Sequence, residues 1–386
     1  MSQSGSGRTT QGRITGLDGL RGVAALVVLL YHASLVARPW LDPAAWTTLT
    51  ETPLKLLLAG TESVLIFFVL SGIVVALPAL RGGFDWARYY PARLLRLYVP
   101  VAAALLFAAA LIVLLPRDRS QMPEGSWMRD AQASSVSPGA LLSEASLMRP
   151  SYDIDNVLWS LRWEVFFSLL LPVFVWVALR SRRHSAAVAA GAALVIVIGR
   201  LTGNEALVYL PVFLLGTVIA VHLDGLRALA ARPRVRPFLP ILFAAACGLL
   251  IASWLARPIT TRGGSADHVL WGLSAVGAAL IVVLAIVWPR AARVLDTAPA
   301  QWLGRVSFSL YLIHAPILGT LGYALGPDRW WLACLLGIPL SLLLAPVFHR
   351  LVERPSHRLS RTVGAWCGAR ASAIGDRLGR AQPETG

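Results

Sequence analysis

Charged residues are scarce in this sequence, and lysine is almost absent. Only 14% of the 386 residues are charged while 56% are apolar, and Lys55 is the single lysine among 35 basic residues. A soluble domain carries roughly 25% charged and about 45–50% apolar residues. The composition therefore excludes an ordinary soluble domain and predicts an integral membrane protein.

Other features are also missing. The three cysteines, Cys247, Cys334 and Cys367, lack the spacing of a disulfide or metal site, so we expect neither. The first twenty residues contain no apolar run followed by a small-residue cleavage site, so we expect the first apolar run to be a retained signal anchor. The net charge of +15 is spread over the segments between apolar runs, and we expect no nucleic-acid partner.

Apolar runs of about 17–22 residues match the length that crosses a bilayer. They predict an all-α polytopic membrane protein with about ten transmembrane helices. The fifth run is short and rich in Ala and Gly, which makes it the weakest candidate. The predicted spans are residues 21–37, 62–80, 97–116, 157–179, 186–200, 206–222, 238–256, 268–289, 306–325 and 331–352.

The distribution of arginine predicts the orientation of these spans. With both termini in the cytoplasm, 24 basic residues fall on that side, ten fall on the other, and Arg162 lies within a span. Such a bias is typical of cytoplasmic loops. We therefore expect a cytoplasmic segment 1–20, a membrane domain 21–355 and a basic cytoplasmic tail 356–386, the tail being a disordered arm near anionic lipid.

The longest connection, residues 117–156, falls on the outer side and is acidic overall. A segment of this length is unusual between packed helices. Two interpretations remain open at this point: a lid or acceptor platform, or a flexible polar loop.

Ionisable side chains within a span are costly, so each is a candidate site residue. Arg21 and His32 are eleven residues apart, which is about 16.5 Å of helical rise and nearly a whole number of turns. Both therefore lie on one face of the first span. A neutral imidazole there can act as a general base toward a hydroxyl, and an arginine can hold a phosphate. Taken separately, Arg21 could be an arginine at the membrane interface, and His32 could be a histidine with a purely structural hydrogen-bonding role.

Three further groups carry candidates. Arg93 and Arg96 lie on one helix face, which suits phosphate binding but also ordinary cytoplasmic charge. Glu164 is a candidate for orienting His32 or contacting an acceptor, whereas Arg162 faces elsewhere and should have its own acidic partner. For His314, near Pro316, a structural packing role is at least as plausible as a catalytic role. Possible site-lining residues are Asp18, Ser71, Ser160, Tyr311 and His314.

In chain order, these segments resemble the acyltransferase 3 family of bacterial membrane O-acyltransferases. The resemblance covers residues 13–358 and rests on six segments. They are Leu17–Leu26 with His32 following, Phe67–Gly72, Arg93 with Arg96, Trp159–Pro172, Ser307–Pro316, and Glu353–Pro355.

This resemblance implies a ten-span fold in a bacterial inner membrane, with acyl-CoA, by default acetyl-CoA, entering from the cytoplasm. It implies that His32 is the catalytic base or a transient acyl acceptor, that Arg21, Arg93 and Arg96 hold the donor phosphates, and that Glu164 is a further site residue. The acceptor would be a hydroxyl of a sugar, glycolipid, cell-envelope glycan or secreted metabolite. The sequence departs from the family at Phe167, where relatives often have tyrosine.

A transporter or flippase for a glycolipid or small anion is the alternative, with the intramembrane His, Glu and Arg residues binding substrate or relaying protons. Many transporters contain two related halves with paired broken helices, and we find no such pairing in the sequence. Acyl-CoA binding distinguishes the two functions.

Overall fold

The computed structural model describes residues 15–149 and 152–380, and it is 84% helical without strands. This confirms the predicted all-α class. Short 3-10 turns and one π-helical turn, His349–Glu353, connect the α-helices. The α-helices are α1 Thr15–Ala37, α2 Pro43–Thr50, α3 Gly60–Ala79, α4 Trp86–Leu114, α5 Trp127–Asp130, α6 Pro138–Ala145, α7 Leu158–Leu169, α8 Leu171–Arg180, α9 Ser185–Thr202, α10 Glu205–Val221, α11 Leu223–Ala231, α12 Leu239–Leu250, α13 Ala252–Leu255, α14 Ser265–Val287, α15 Pro289–Leu295, α16 Ala298–Leu325, α17 Trp330–Phe348 and α18 Arg354–Arg380.

Within the described residues, seven helical segments are long and apolar enough to cross a membrane, and two bent pairs raise the number to nine. The pairs are α7 with α8, bent by 63°, and α10 with α11, bent by 68°. The fifth predicted span, the weakest candidate, coincides with α9, which is long and apolar enough to cross a membrane by itself. The seventh, predicted as 238–256, is the short one, Arg236–Leu250. Its helix ends at Leu250, and the chain continues as the separate short helix α13.

The bundle surface agrees with a membrane location. Leu106, Val113, Trp176 and Leu343 leave 64, 70, 65 and 70% of their surface uncovered by protein. A soluble protein would hide side chains of this size, whereas lipid covers them in a bilayer. The chain is therefore a multi-pass membrane protein.

The first helix, α1, packs most extensively against α16. The closest approach uses two glycines. A Cβ on Gly22 would lie 2.4 Å from the Gly304 nitrogen, and one on Gly304 would lie 2.2 Å from the Asp18 carbonyl oxygen. Any larger residue would push the helices apart. The glycines therefore hold the α1 backbone against α16 on either side of Arg21.

The two ends of the bundle differ. The end at which α1 and α16 begin carries most of the arginines, and we name it the basic end. The opposite end carries residues 115–157 between α4 and α7, and we name it the loop end.

The described parts of the 115–157 connection, residues 115–149 and 152–157, are folded onto the bundle. Arg117, 6% exposed, donates to Gln132 Oε1 at 3.2 Å and to Thr320 Oγ1 of α16 at 3.0 Å. Burial lowers the pKa of the Arg117 guanidinium to about 10. Glu144 accepts three backbone N–H groups, from residues 153 and 154 at 2.9 Å and 155 at 3.2 Å. These bonds favour the structured interpretation of the connection over the flexible loop.

The basic tail is helical up to Arg380, so the expectation of a disordered arm is wrong for the described part of it. Helix α18 continues from α17 and packs antiparallel against the first half of α4. Ser356 Oγ donates to the Leu95 carbonyl oxygen at 3.2 Å, and Gly368 lies against Asp85. Tertiary packing, which composition does not reveal, orders this segment. Residues 381–386 of the predicted tail, and 1–14 of the predicted N-terminal segment, lie outside the described residues.

Candidate active site

Two histidines from different helices meet in the half of the bundle nearer the loop end. His32 Nδ1 of α1 lies 3.1 Å from His314 Nε2 of α16, and their ring centroids are 4.9 Å apart. Both are buried, His32 with 8% and His314 with 0% of its surface exposed. Sequence reasoning proposed the two residues separately, and the structure brings them into contact. We refer to them as the histidine pair.

Backbone carbonyls determine which ring nitrogens carry protons. His314 Nδ1 lies 2.9 Å from the Leu310 oxygen, and His32 Nδ1 lies 3.0 Å from the Val28 oxygen. A carbonyl oxygen only accepts hydrogen bonds, so we assign the proton to Nδ1 in both neutral rings. His314 Nε2 then accepts from His32 Nδ1–H. The nitrogen left with a free lone pair is His32 Nε2.

Aromatic side chains close the loop-end side of the histidine pair. The Trp127 ring of α5 lies 5.2 Å from the His32 ring, and its indole nitrogen donates to Asn156 Oδ1 at 3.2 Å. Tyr31 approaches His32 edge-on at 5.2 Å and packs against Gly60, whose Cβ would lie 2.3 Å from the Tyr31 ring. Sequence reasoning missed Trp127, because nothing in the 117–156 segment distinguishes it from the other loop residues.

Glu164 of α7 belongs to a polar cluster nearer the basic end. Its Oε1 lies 2.5 Å from Arg93 Nη2 and accepts from Ser71 Oγ at 2.9 Å. Arg93 Nε donates to Ser168 Oγ at 3.0 Å. The hydrogen bonds of the Glu164 carboxylate within the described chain are with Arg93 and Ser71 and do not reach His32. The acidic partner expected for Arg162 is Glu205, at 3.6 Å.

A cation-rich space surrounds Arg93 and Glu164. Two cavities of about 450 and 340 Å³ share Arg21, Arg93, Arg96 and Glu164 in their walls, and we name them together the basic chamber. In the described chain, seven arginines and four carboxylates line it, the second cavity including Asp18.

Most arginines of the basic chamber have no carboxylate contact within the described residues, Arg21 and Arg96 among them. Neither Arg21 nor Arg96 has a carboxylate oxygen within 4 Å in the described residues, and Arg21 Nε is buried without a hydrogen-bond partner. A buried donor without a partner is costly. An anionic ligand in the chamber would satisfy it, and phosphate matches the guanidinium fork in shape and charge.

A narrow cavity of about 40 Å³ leads from the basic chamber toward the histidine pair. Arg21, Ser71 and Glu164 line it near the chamber, and Ser160 and Tyr311 line its walls. Tyr311 Oη lies 2.7 Å from Ser160 Oγ. The Tyr311 ring stands 5.9 Å from that of His314. Tyr311 therefore links the wall of this cavity to the histidine pair, whose members do not themselves line it.

Glu353 was noted in the sequence only as part of the Glu353–Pro355 segment that resembles the family, without a chemical role. The structure places it in the π-helical turn, where its Oε2 accepts from Ser309 Oγ at 2.6 Å and lies 2.9 Å from His349 Nδ1. It lines the smaller cavity of the basic chamber. Phe167, the departure from the family, is fully buried and stacks on Phe213 at 4.5 Å, so no polar group lies at that position.

This site can be compared with those of known proteins by sequence. The profile of the acyltransferase 3 family, described as an acyltransferase domain, matches residues 14–350. The chain therefore belongs to this family and is an acyltransferase. No group of three or more His, Cys, Asp or Glu residues that could hold a metal occurs in the described part of the chain.

Two curated relatives narrow the activity. "O-acetyltransferase PaAT-1" of Phomopsis amygdali is 27% identical over 379 residues, covering 80% of this chain and 73% of its own. "Putative peptidoglycan O-acetyltransferase YrhL" of Bacillus subtilis (strain 168) is 26% identical over 377 residues, covering 89% of this chain. This chain spans about half, 54%, of the length of the second relative. No solved structure matches. The comparisons support O-acyltransferase activity.

Proposed function

We propose that this O-acyltransferase takes an acyl group, by default acetyl, from cytoplasmic acyl-CoA and transfers it to a hydroxyl of a sugar, glycolipid, or cell-envelope or secreted glycan. The observation that carries the proposal is the separation of two environments along α1. Arg21 faces a basic chamber with surplus cations, and His32, about 16.5 Å further along the helix, belongs to a buried neutral pair. Acyl-CoA has the same layout, phosphates at one end and a thioester at the other of a long neutral arm.

The proposal includes a membrane topology. Ten crossings with both termini in the cytoplasm of a bacterial cell, within the inner membrane, follow if the short Arg236–Leu250 helix is counted with the nine other candidates. The basic end then faces the cytoplasm, as the arginine bias requires. Residues 21–355 form the membrane domain, with 1–20 and 356–386 as flanking cytoplasmic segments.

In the donor site, Arg21, Arg93 and Arg96 hold the phosphates. Of these three, Arg93 is partly committed to Glu164 at 2.5 Å, so Arg21 and Arg96 contribute the charge that no carboxylate compensates. Glu164 acts as a further site residue by fixing the Arg93 guanidinium at the mouth of the narrow cavity. Ser71, which donates to the same carboxylate oxygen, supports that position.

The transfer step uses His32. The acceptor hydroxyl gives its proton to His32 Nε2 while its oxygen attacks the thioester carbon. The carbon–sulfur bond then breaks, and the CoA thiolate takes the proton from His32, which returns to its neutral form. His314 holds the tautomer that leaves Nε2 basic, as the third group of a triad does. An acyl-histidine intermediate would use the same nitrogen.

The test is donor binding and turnover in detergent. Purified wild-type protein should bind acetyl-CoA and release CoA slowly. His32→Ala should bind acetyl-CoA equally well but release no CoA above the uncatalysed rate, and Arg93→Ala/Arg96→Ala should lose binding. His268→Ala is the matched control, because His268 contacts Arg200 at 3.4 Å and neither member of the histidine pair. If folded wild-type protein binds no acyl-CoA of any chain length, the proposal is wrong.

A further inference from the structure

Helix α18 lies outside the part of the chain that matches the family, which ends at residue 350. It nevertheless packs against α4, the helix that carries Arg93 and Arg96. The contacts run antiparallel: Ser356 bonds to the Leu95 carbonyl, Gly364 meets Arg88 and Ala92, and Gly368 meets Asp85.

Small residues make this contact close. The buried positions of α18 recur every four residues, as Ser356, Ser360, Gly364 and Gly368. A Cβ on Gly364 would lie 2.8 Å from the Arg88 carbonyl oxygen. This spacing is that of a small-residue stripe that lets two helix backbones approach. Helix α18 is therefore held in a fixed position beside the arginines of α4.

The position has a consequence for the basic chamber. Ser360 and Arg361 of α18 line its larger cavity, the one of about 450 Å³. Arg361 Nε donates to the His357 carbonyl oxygen at 3.1 Å, which lays the side chain along its own helix. No carboxylate oxygen lies within 4 Å of the Arg361 guanidinium in the described residues. Its charge is thus available at the rim of the chamber.

We propose that α18 is part of the donor site and that Arg361 binds a phosphate of acyl-CoA at the rim of the basic chamber. The inference rests on the proposed function and extends it to a segment outside the family domain. An exposed guanidinium at a cavity rim can form a bidentate contact with a phosphate. Arg21 is only partly exposed and its Nε is buried, so it lies deeper than the exposed Arg361. A ligand with phosphates at two places along its length would contact both levels.

Two arginines of α18 provide the experiment. Arg370 is exposed, stacks on Trp366 at 4.3 Å and does not line the chamber. The probes are acetyl-CoA and the acetyl thioester of N-acetylcysteamine, which has the same reactive group but no phosphate. Arg361→Gln should weaken acetyl-CoA binding about tenfold, the size expected for one charge-assisted contact. It should leave thiol release from the phosphate-free thioester unchanged, and Arg370→Gln should change neither.

Two results would overturn this assignment. Equal acetyl-CoA affinities for Arg361→Gln and wild type would show that Arg361 does not touch the donor. An equal loss with both thioesters would show that Arg361 supports the fold and not phosphate binding. Both results require wild-type protein that binds acetyl-CoA, so they remain distinct from failure of the proposed function, in which wild-type protein itself does not bind.

Discussion

The basic chamber and the histidine pair are opposite in almost every physical respect. The chamber is open, with cavities of about 450 and 340 Å³ and more arginines than carboxylates. The histidine pair is closed, with 0% and 8% of its rings exposed, and its nitrogens apart from His32 Nε2 have partners. Between them lies a passage of only about 40 Å³.

This difference shows how one helix can serve two tasks. Surplus cations attract an anionic ligand best where water and counter-ions are accessible, since burying unpaired charge is costly. A base works best where water is excluded and its tautomer is fixed. Placing Arg21 and His32 eleven residues apart on α1 keeps the two requirements from interfering. Mutations in the histidine pair should therefore change turnover, and mutations in the basic chamber should change donor binding.

The largest of these effects should come from His314, which contacts His32 and does not line the basic chamber. His32 Nδ1–H is shared between His314 Nε2 and the Val28 carbonyl oxygen. His314→Leu removes the first of these acceptors and should lower the turnover number about 100-fold, within the range of general base catalysis. Acetyl-CoA affinity should stay unchanged, because the basic chamber is untouched. His314→Gln can present its Oε1 to the same proton and should recover part of the rate. Steady-state CoA release with both variants measures this, and wild-type turnover by His314→Leu would contradict a positioning role.

A smaller effect is expected at Glu164. Glu164→Gln keeps an acceptor for Arg93 and Ser71 but removes one negative charge from the basic chamber wall. Phosphates should then bind severalfold more tightly, and the gain should shrink as salt is raised, because exposed charges are screened over about 10 Å at 0.1 M. Titration of acetyl-CoA at two ionic strengths measures it. Weaker binding by Glu164→Gln at both salt concentrations would contradict this expectation, because it would show that the hydrogen bond alone does not hold Arg93 and that the negative charge of Glu164 is needed.

The sequence predicted the basic chamber better than the surroundings of the histidine pair. Arg21, Arg93 and Arg96 are visible as cations at the edges of apolar runs, and helical spacing places them on common faces. That they line one shared cavity depends on how α1 packs beside α4, which the sequence does not show. His32 and His314 were also visible, but their contact depends on Gly22 and Gly304, which allow α1 and α16 to touch. Helix packing, and therefore this pairing, cannot be read from one sequence.

The remaining misses share a cause. Trp127 closes the site from the connection between α4 and α7, and α18 is ordered by tertiary contact with α4. No local sequence pattern predicts the position of Trp127 or the order of α18. Lys55 is another example: it is 1% exposed and lies 3.3 Å from Glu62, with Trp254 donating to the same carboxylate at 2.8 Å. The only lysine in an arginine-rich chain occupies a site suited to a compact ammonium. Its rarity was visible in the sequence, but its partners were not.

The smallest effect concerns the 115–157 connection, whose Trp127 covers the histidine pair. Asp155 donates the third of the backbone N–H groups that Glu144 accepts, and it is fully buried. Its carboxylate oxygens have no well-aligned hydrogen-bond partner in the described residues. Burial, with a contribution from the nearby Glu144, raises the pKa of Asp155 well above its usual range. The folded protein therefore keeps a proton that the unfolded chain releases above about pH 4.

The sign of the pH dependence follows from this proton. Stability should fall as the pH rises from about 4 toward the folded pKa of Asp155, by up to about 1.4 kcal/mol per pH unit, and then level off. Asp155→Asn is neutral at every pH and should remove this slope, with an apparent unfolding temperature a few degrees higher at neutral pH. Thermal unfolding in detergent between pH 4.5 and 8 measures both proteins. Parallel pH profiles for wild type and Asp155→Asn would mean that Asp155 is already ionised in the folded protein. A buried charge would then act on Tyr311, which lines the narrow cavity between the basic chamber and the histidine pair.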